Sequence, residues 1–448
     1  MPARTTDPAG PQRPDDSPLR VAVLADSDTR WKWGALTAHR AVAEHRLDGF
    51  LLRGRATPTP RQLEEVGVRA DSLREVTAVE FLQEMGDETY DVVVLALVGG
   101  GAQAVLHGLA RVWEGRERRP VVVTGYVGVV YEKLADGLLL RHGADVVLAN
   151  SRHDAERFRA VYEGVGADAS SVTETALPFL GGARYEGKPD GRPYTVVFAA
   201  QPSVPDNRRD RTYLLRRLVE HARFHPDREV LLKLRSKPGE HTTHIEELPY
   251  QKLVQKLPGG APPPNFRLVY GHMGEVLDRT DLLVTVSSTA ALEALHRRIP
   301  TAVLTDLGVR EALGNHHFIG SGCLASWDRL DAGHEPQAAQ DWVARQGVAA
   351  EGPYETAFDE TRKRVAELLR RPGLPPIAPY YTPATAPGYL PGILARHHLG
   401  PDGTPLPGAA APAREAGPVR RIVREAARGA YRHGVQRVAP VIRRMGEL

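Results

Sequence analysis

From residue 19 onward, short runs of Val, Leu and Ala recur along the chain, separated by stretches with apolar residues at helical spacing. Apolar runs without alternation mark strands buried on both faces, and their alternation with helices predicts parallel sheets joined by crossover helices. In the first half these strands are predicted at Leu19–Ala25, Asp91–Leu97, Pro120–Thr124 and Asp145–Ala149. The cluster of Gly, Pro and charged residues at Gly181–Pro193 then breaks the pattern and predicts a linker. A second series follows, with strands at Tyr194–Ala199, Glu229–Leu234, Phe266–Val269, Asp281–Val286 and Thr301–Leu304 and helices over 208–223 and 290–298. Lys256–Asn265 is a loop within this half, because the alternation resumes after it. The pattern predicts an α/β protein of two Rossmann-like domains facing across a cleft.

The boundaries that follow are a disordered N-terminus over 1–18, Rossmann-like domains over 19–183 and 193–375, a Pro/Gly-rich segment and linker over 376–417, and a basic helical tail over 418–448. A chain of 448 residues is about twice the size one core serves well, which agrees with two domains. No run approaches the roughly 18–20 apolar residues of a membrane span. The first 20 residues lack the apolar centre of a secretory signal, so a cytoplasmic location is expected. The single cysteine, Cys323, excludes an intramolecular disulfide and a Cys-based zinc cluster, and reads as a small buried apolar residue.

Charge changes the picture at the C-terminus. Residues 418–448 carry eight arginines against Glu425 and Glu447, a net +6, so the rest of a chain of net +3 is −3. An acidic body argues against a general nucleic-acid binder. In the tail, Ile422, Val423, Ala426, Ala430, Val438, Ile442 and Met445 fall at helical spacing between arginines. At roughly 1 kcal/mol per basic residue near an anionic leaflet, this predicts peripheral attachment to the inner face of a membrane. Docking on the protein's own body is the other reading. Gly434 and Pro440 divide the pattern into two short helices.

In open α/β sheets ligands meet the residues just after the strands' carboxyl ends. After the first strand come Asp26 and Asp28 with Ser27 and Thr29, as acid–base candidates or as helix caps. Gly99–Gly101 reads as a tight turn or a close backbone approach. Beyond Thr124–Gly128 lies Glu132, a further acid or base candidate. Val284–Leu295 reads as a strand, the hydroxyl turn Ser287-Ser288-Thr289 and a helix whose free amides would hold a phosphate. Arg235, Lys237, His241 and His244 follow another strand and suit phosphate oxygens. His241 and His244 lack a third ligand, so no metal site is expected. Asn315 and His316 lie in a loop expected to face the cleft, and His153 stands beside Ser151, whose capping explains that site equally well.

The stretch Asp278–Asp306 resembles the donor half of GT-B-fold glycosyltransferases: a strand, a hydroxyl turn, a helix bearing Glu293, then Pro300 and another strand. The span from about 19 to 370 is similar to an uncharacterised glycosyltransferase family of high-GC bacteria. The resemblance implies that Glu293 holds ribose hydroxyls, that Ser287, Ser288 and Thr289 hold phosphates, and that the first domain receives the acceptor. The turn also resembles that of bacterial sialyl- and polysialyltransferases and glycerol-phosphate polymerases, which hold cytidine nucleotides. Their His-Pro pair is replaced here by Arg235-Ser236-Lys237-Pro238, so no base carries over. The expected enzyme is a metal-independent transferase without cofactor, moving sugar from a nucleotide-sugar donor to a glycan, lipid-linked or small-molecule acceptor of the envelope or of secondary metabolism. Asp26 or Asp28 is its expected base, with Glu132 and His153 in reserve and Trp31 and Trp33 as sugar platforms. A nucleotide-sugar epimerase of the same two-domain fold and a non-catalytic sugar-nucleotide-binding protein are the rival readings.

Overall fold

A computed structural model of the chain describes residues 18–54, 56–129, 134–237, 240, 246, 248–257, 260–348 and 354–408. Their strands form two sheets. The first takes β1 (Leu19–Ala25), β2 (His45–Leu52), β3 (Ser72–Val76), β4 (Val92–Ala96), β5 (Val121–Gly125), β6 (Val146–Ala149) and β7 (Val172–Glu174) in the order β3-β2-β1-β4-β5-β6-β7. The second takes β8 (Tyr194–Ala199), β9 (Arg228–Lys233), β10 (Phe266–Val269), β11 (Leu282–Thr285), β12 (Thr301–Leu304) and β13 (Leu324–Ala325) in the order β10-β9-β8-β11-β12-β13. All pairings are parallel.

Every residue of β4 (Val-Val-Val-Leu-Ala) and of β5 is buried, as helices on both faces of a parallel sheet require. β1 lies at the turning point of the first sheet, with Val21 opposite Leu47 of β2 on one side and Val92 of β4 on the other. β8 has the same place in the second, with Val197 between Leu231 of β9 and Leu283 of β11. Where the strand order reverses, crossover connections leave in opposite directions and a crevice opens above the strand ends.

Apart from β2, the interior strands form where the apolar runs predicted them. β2 and β3 were not predicted, because β2 carries Asp48 and Gly49 at its centre. Asp48 is buried and accepts hydrogen bonds from the hydroxyls of Ser72 (2.6 Å) and Tyr90 (3.4 Å). A Cβ on Gly49 would stand 2.6 Å from both Trp31 and Leu73. Glycine there is what lets the helix Asp28–Ala41 close on the strand. Trp31 and Trp33 of that helix are fully buried in the core against β1, β2 and β4, which overturns their reading as sugar platforms.

After the second sheet the chain returns to the first. The helix Asp359–Arg370 packs on the helix Asp28–Ala41 and on β5, β6 and β7, placing Val365 and Leu368 in the same core as Val21 and Trp31. Ile377, Ala386, Leu390, Ile393, Leu394 and Leu399 complete the core on the other face of the first sheet. The expected second domain over 193–375 therefore gives up its last helix to the first half. The Pro/Gly-rich segment that begins at 376 is packed structure up to Leu399, its apolar residues interspersed among Pro and Gly in sequence. The segment 1–17, Glu132, His241, His244 and the tail 418–448 lie outside the described residues. No described helix is long and apolar enough to cross a membrane.

Candidate functional site

The two sheets present their carboxyl ends to one cleft of about 1180 Å³, lined from both halves. Asp28, Thr29 and Lys32 enter from the helix after β1, and Tyr126 and Val127 from the loop after β5. The second half contributes Gln201 after β8, Lys233 and Arg235 at the end of β9, His272 after β10, and Ser287, Ser288, Thr289 and Glu293 after β11.

Asp28 and Asp26 have different surroundings. Asp26 accepts the backbone N–H of Val98 at 2.9 Å and pairs with Arg30 at 3.0 Å, bracing the loop after β4, and does not line the cleft. Asp28 faces the second half and accepts from the Arg235 guanidinium at 2.8 Å, while Arg235 also donates to the Thr29 hydroxyl. Burial pushes the Asp28 carboxyl up, but the charge of Arg235 and the hydrogen bonds from Thr29 and Arg235 prevail and hold it below the usual carboxylate range. A second bridge between the halves joins Arg61 to Glu240, with one N–H···O contact of 2.5 Å.

The hydroxyl turn is used differently from the expectation. Ser287 is buried, its hydroxyl donates to the Leu313 carbonyl at 2.5 Å, and its N–H donates to the Gln201 side chain at 3.0 Å. The Ser288 N–H donates to the Thr285 hydroxyl at 3.1 Å. Ala290 N–H donates to the Ser288 hydroxyl at 3.2 Å, and Ala291 N–H to the Ser288 carbonyl at 2.9 Å. The amides expected to be open to a phosphate are thus largely taken up within the turn, and Ser287 acts as a clasp between loops. Thr289 stands where the halves approach: a Cβ on Gly128 would lie 2.7 Å from its hydroxyl oxygen.

Cationic side chains stand in the same cleft as the turn. Lys233 is buried, donates to the Leu234 carbonyl at 2.8 Å, and is brought by burial down to about 8, against the opposing pull of Glu65 and Glu293. Glu293 is pushed up by burial, while Lys32, Arg297 and Lys233 act in the opposite direction. The Lys32 ammonium lies 3.2 Å from His272 Nε2 and 5.1 Å above the Phe179 ring centre. His272 caps the following helix by accepting the Gly274 N–H on Nδ1 at 3.2 Å; burial and then the charge of Lys32 lower its pKa, so the ring is neutral at neutral pH.

Of the other residues singled out in sequence, Lys237 does not line the cleft and lies 6.0 Å from the Tyr270 ring centre. Asn315 is fully buried, donates to the carbonyls of Leu304 (3.0 Å) and Gly308 (2.8 Å) and accepts from Arg310 N–H, so it shapes the loop that puts Arg310–Gly314 on the cleft wall. His153 and His316 line a different cavity. Lys32, Gln201, Lys233 and His272 were not singled out. Gln201 and His272 lie two and three residues past a strand end, the same positional signal that found Arg235. Among the described residues, His221, His225 and Asp331 bring three metal-ligating atoms within 4.8 Å of one another. None of the three lines the cleft, and Asp331 already accepts from Arg217 at 3.0 Å.

Two parallel, doubly covered sheets meeting carboxyl end to carboxyl end over one cleft define a GT-B-like architecture. The family described as "Putative glycosyltransferase (DUF6716)" matches residues 21–368, and the chain belongs to this family of sugar-transferring enzymes. No curated protein matches it in sequence. Similar solved structures include the glycotransferase of kitacinnamycin, at 15% identity and a TM-score of 0.42 over 79% of this chain and 96% of that one. A UDP-GlcNAc 2-epimerase from Neisseria meningitidis, bound to UDP-GlcNAc, is similar at 11% identity and a TM-score of 0.48 over 78% and 99%. A UDP-glucosyltransferase from Polygonum tinctorium is similar at 14% identity and a TM-score of 0.43 over 80% and 96%.

Proposed function

We propose that this glycosyltransferase holds a nucleotide-activated sugar in the cleft, diphosphate toward Arg235 and Lys233, and transfers the sugar to an acceptor hydroxyl presented by the first half. The observation that supports this best is that Lys32 of the first half and Lys233 and Arg235 of the second line one cleft with Glu293 and the hydroxyls of Ser288 and Thr289. Guanidinium and ammonium groups suit phosphate oxygens, and a carboxylate one turn into the helix suits the two hydroxyls of a ribose. Glu293 and the hydroxyls of Ser288 and Thr289 are assigned to the nucleoside end.

Asp28 is the proposed base. A sugar hydroxyl is a poor nucleophile at neutral pH and gains from a carboxylate within hydrogen-bond reach. Arg235 depresses Asp28, and a donor phosphate that draws the guanidinium away leaves burial as the dominant influence on the carboxyl. Donor binding thereby raises the basicity of Asp28 at the step that needs it. The transfer forms the acceptor-oxygen to anomeric-carbon bond, breaks the bond from that carbon to the donor phosphate oxygen, and passes the acceptor proton to Asp28.

The experiment is a thermal-shift screen of nucleotides and nucleotide sugars on the full chain. A true donor at 100 times its dissociation constant stabilises by about 2.7 kcal/mol. Glu293→Ala is expected to remove most of that shift with the unliganded melting temperature retained; an unchanged shift would reject the ribose assignment. Conversion of the donor in the absence of any acceptor would identify an epimerase in place of a transferase.

A further inference from the structure

A second cavity, of about 470 Å³, shares no lining residue with the cleft. His153 and Arg157 reach it from the helix Arg152–Gly164 of the first half, and His316, Trp342, Arg345 and Gln346 from the second. The halves meet beside it backbone to backbone: a Cβ on Gly347 would lie 2.5 Å from the Asn150 carbonyl oxygen.

The lining contains two guanidiniums and three imidazoles and no carboxylate. The acids that accompany the arginines sit outside the lining, Asp154 at 3.7 Å from Arg157 and Glu156 at 2.8 Å from Arg345. They orient the guanidiniums without filling the space between them. Burial holds the imidazoles of His153 and His317 neutral, so the positive charge at the cavity is that of Arg157 and Arg345; two guanidinium forks, one from each half, suit an oxyanion with three or more acceptor oxygens better than a carboxylate with two. Trp342 and His317, edge to face with centres 5.7 Å apart, give the same cavity an aromatic wall. The volume exceeds that of an inorganic ion by several waters at roughly 30 Å³ each.

We propose that this cavity binds a phosphate-bearing ligand, held by Arg157 of the first half and Arg345 of the second, which ties the two halves together at a point outside the cleft. The site is independent of the donor assignment, since none of its residues serves the cleft.

The test titrates the full chain with inorganic phosphate and, separately, with a sugar phosphate, followed by tryptophan fluorescence and calorimetry. Trp31, Trp33, Trp113 and Trp327 are buried, so Trp342 is the indole placed to report occupancy. Saturable binding is expected that Arg157→Gln and Arg345→Gln each weaken by roughly tenfold or more, and that Arg235→Gln in the cleft leaves unchanged. Trp342→Phe removes the fluorescence change and keeps the heat. The Arg345 side chain is 56% exposed, so its replacement tests the site without disturbing a core. Tighter binding of the sugar phosphate identifies an organic phosphate as the ligand, and equal binding identifies the free ion. Binding that survives both arginine variants, or that Arg235→Gln abolishes, or no saturation with either probe at millimolar concentration, overturns the proposal.

Discussion

Two carboxylates two positions apart, Asp26 and Asp28, are set in opposite roles by what surrounds them. Asp26 is engaged by the Val98 N–H and by Arg30 within its own half, whereas Asp28 meets Arg235 across the cleft. Asp28→Asn is expected to cut turnover by roughly 100-fold or more, with donor affinity unchanged or tighter because Arg235 is no longer held by a carboxylate. Asp26→Asn is expected to lower stability by about 1–3 kcal/mol and to leave turnover per folded molecule intact. Steady-state kinetics on both variants decide the matter, and the reverse pattern would move the base to Asp26. Lys233 carries a pH dependence. Burial brings it to about 8, and a donor phosphate favours its charged form, so donor affinity is full below about 8 and falls as pH rises through that value. Stability moves the other way: unfolded lysine keeps its proton to about 10.4, so the folded state gains stability between about 8 and that pH. Calorimetric titration from neutral to alkaline pH should show the loss of affinity, and Lys233→Met should flatten it. Much of this wall was legible from the sequence, because Asp28, Arg235, Ser288, Thr289 and Glu293 all follow strand ends. Ser287 was not separable from its neighbours, since capping, loop clasping and ligand contact use the same hydroxyl chemistry. Lys233 was passed over because it falls inside the predicted strand Glu229–Leu234.

The strands follow a similar logic. Those buried on both faces are near-continuous in Val, Leu and Ala and can be read directly, as in β1, β4, β8 and β11. β3, half exposed at its edge, and the short edge strands β7 and β13 lose that signature. β2 lost it through Asp48 and Gly49, two residues present for contacts distant in sequence: the Ser72 and Tyr90 hydroxyls for one, Trp31 for the other. Gly49→Ala places a methyl 2.6 Å from the buried Trp31 ring and is expected to destabilise the protein by about 1–3 kcal/mol, measured by chemical denaturation. Unchanged stability would show that the helix Asp28–Ala41 can shift away from β2.

On the scale of the whole molecule, two α/β halves were readable from the alternation of strands and helices, but the path of the chain between them was not. The segment 376–408 is rich in Pro and Gly, yet six of its apolar side chains are buried against the first half. The five Leu and Ile side chains among them contribute roughly 1.5–3 kcal/mol each, together comparable to the roughly 5–15 kcal/mol that holds a whole domain folded. A chain ended after 375 is therefore expected to aggregate or to lose its cooperative melt, and one ended after 408 to keep it, as circular dichroism on heating would show. The return of the chain also fixes how this protein can be recombined. The second sheet is an interior insert, so a hybrid that exchanges it with a relative's needs two junctions, one within 175–193 and one shortly before Asp359. A single crossover would leave the first half with a closing helix selected to fit another protein's core.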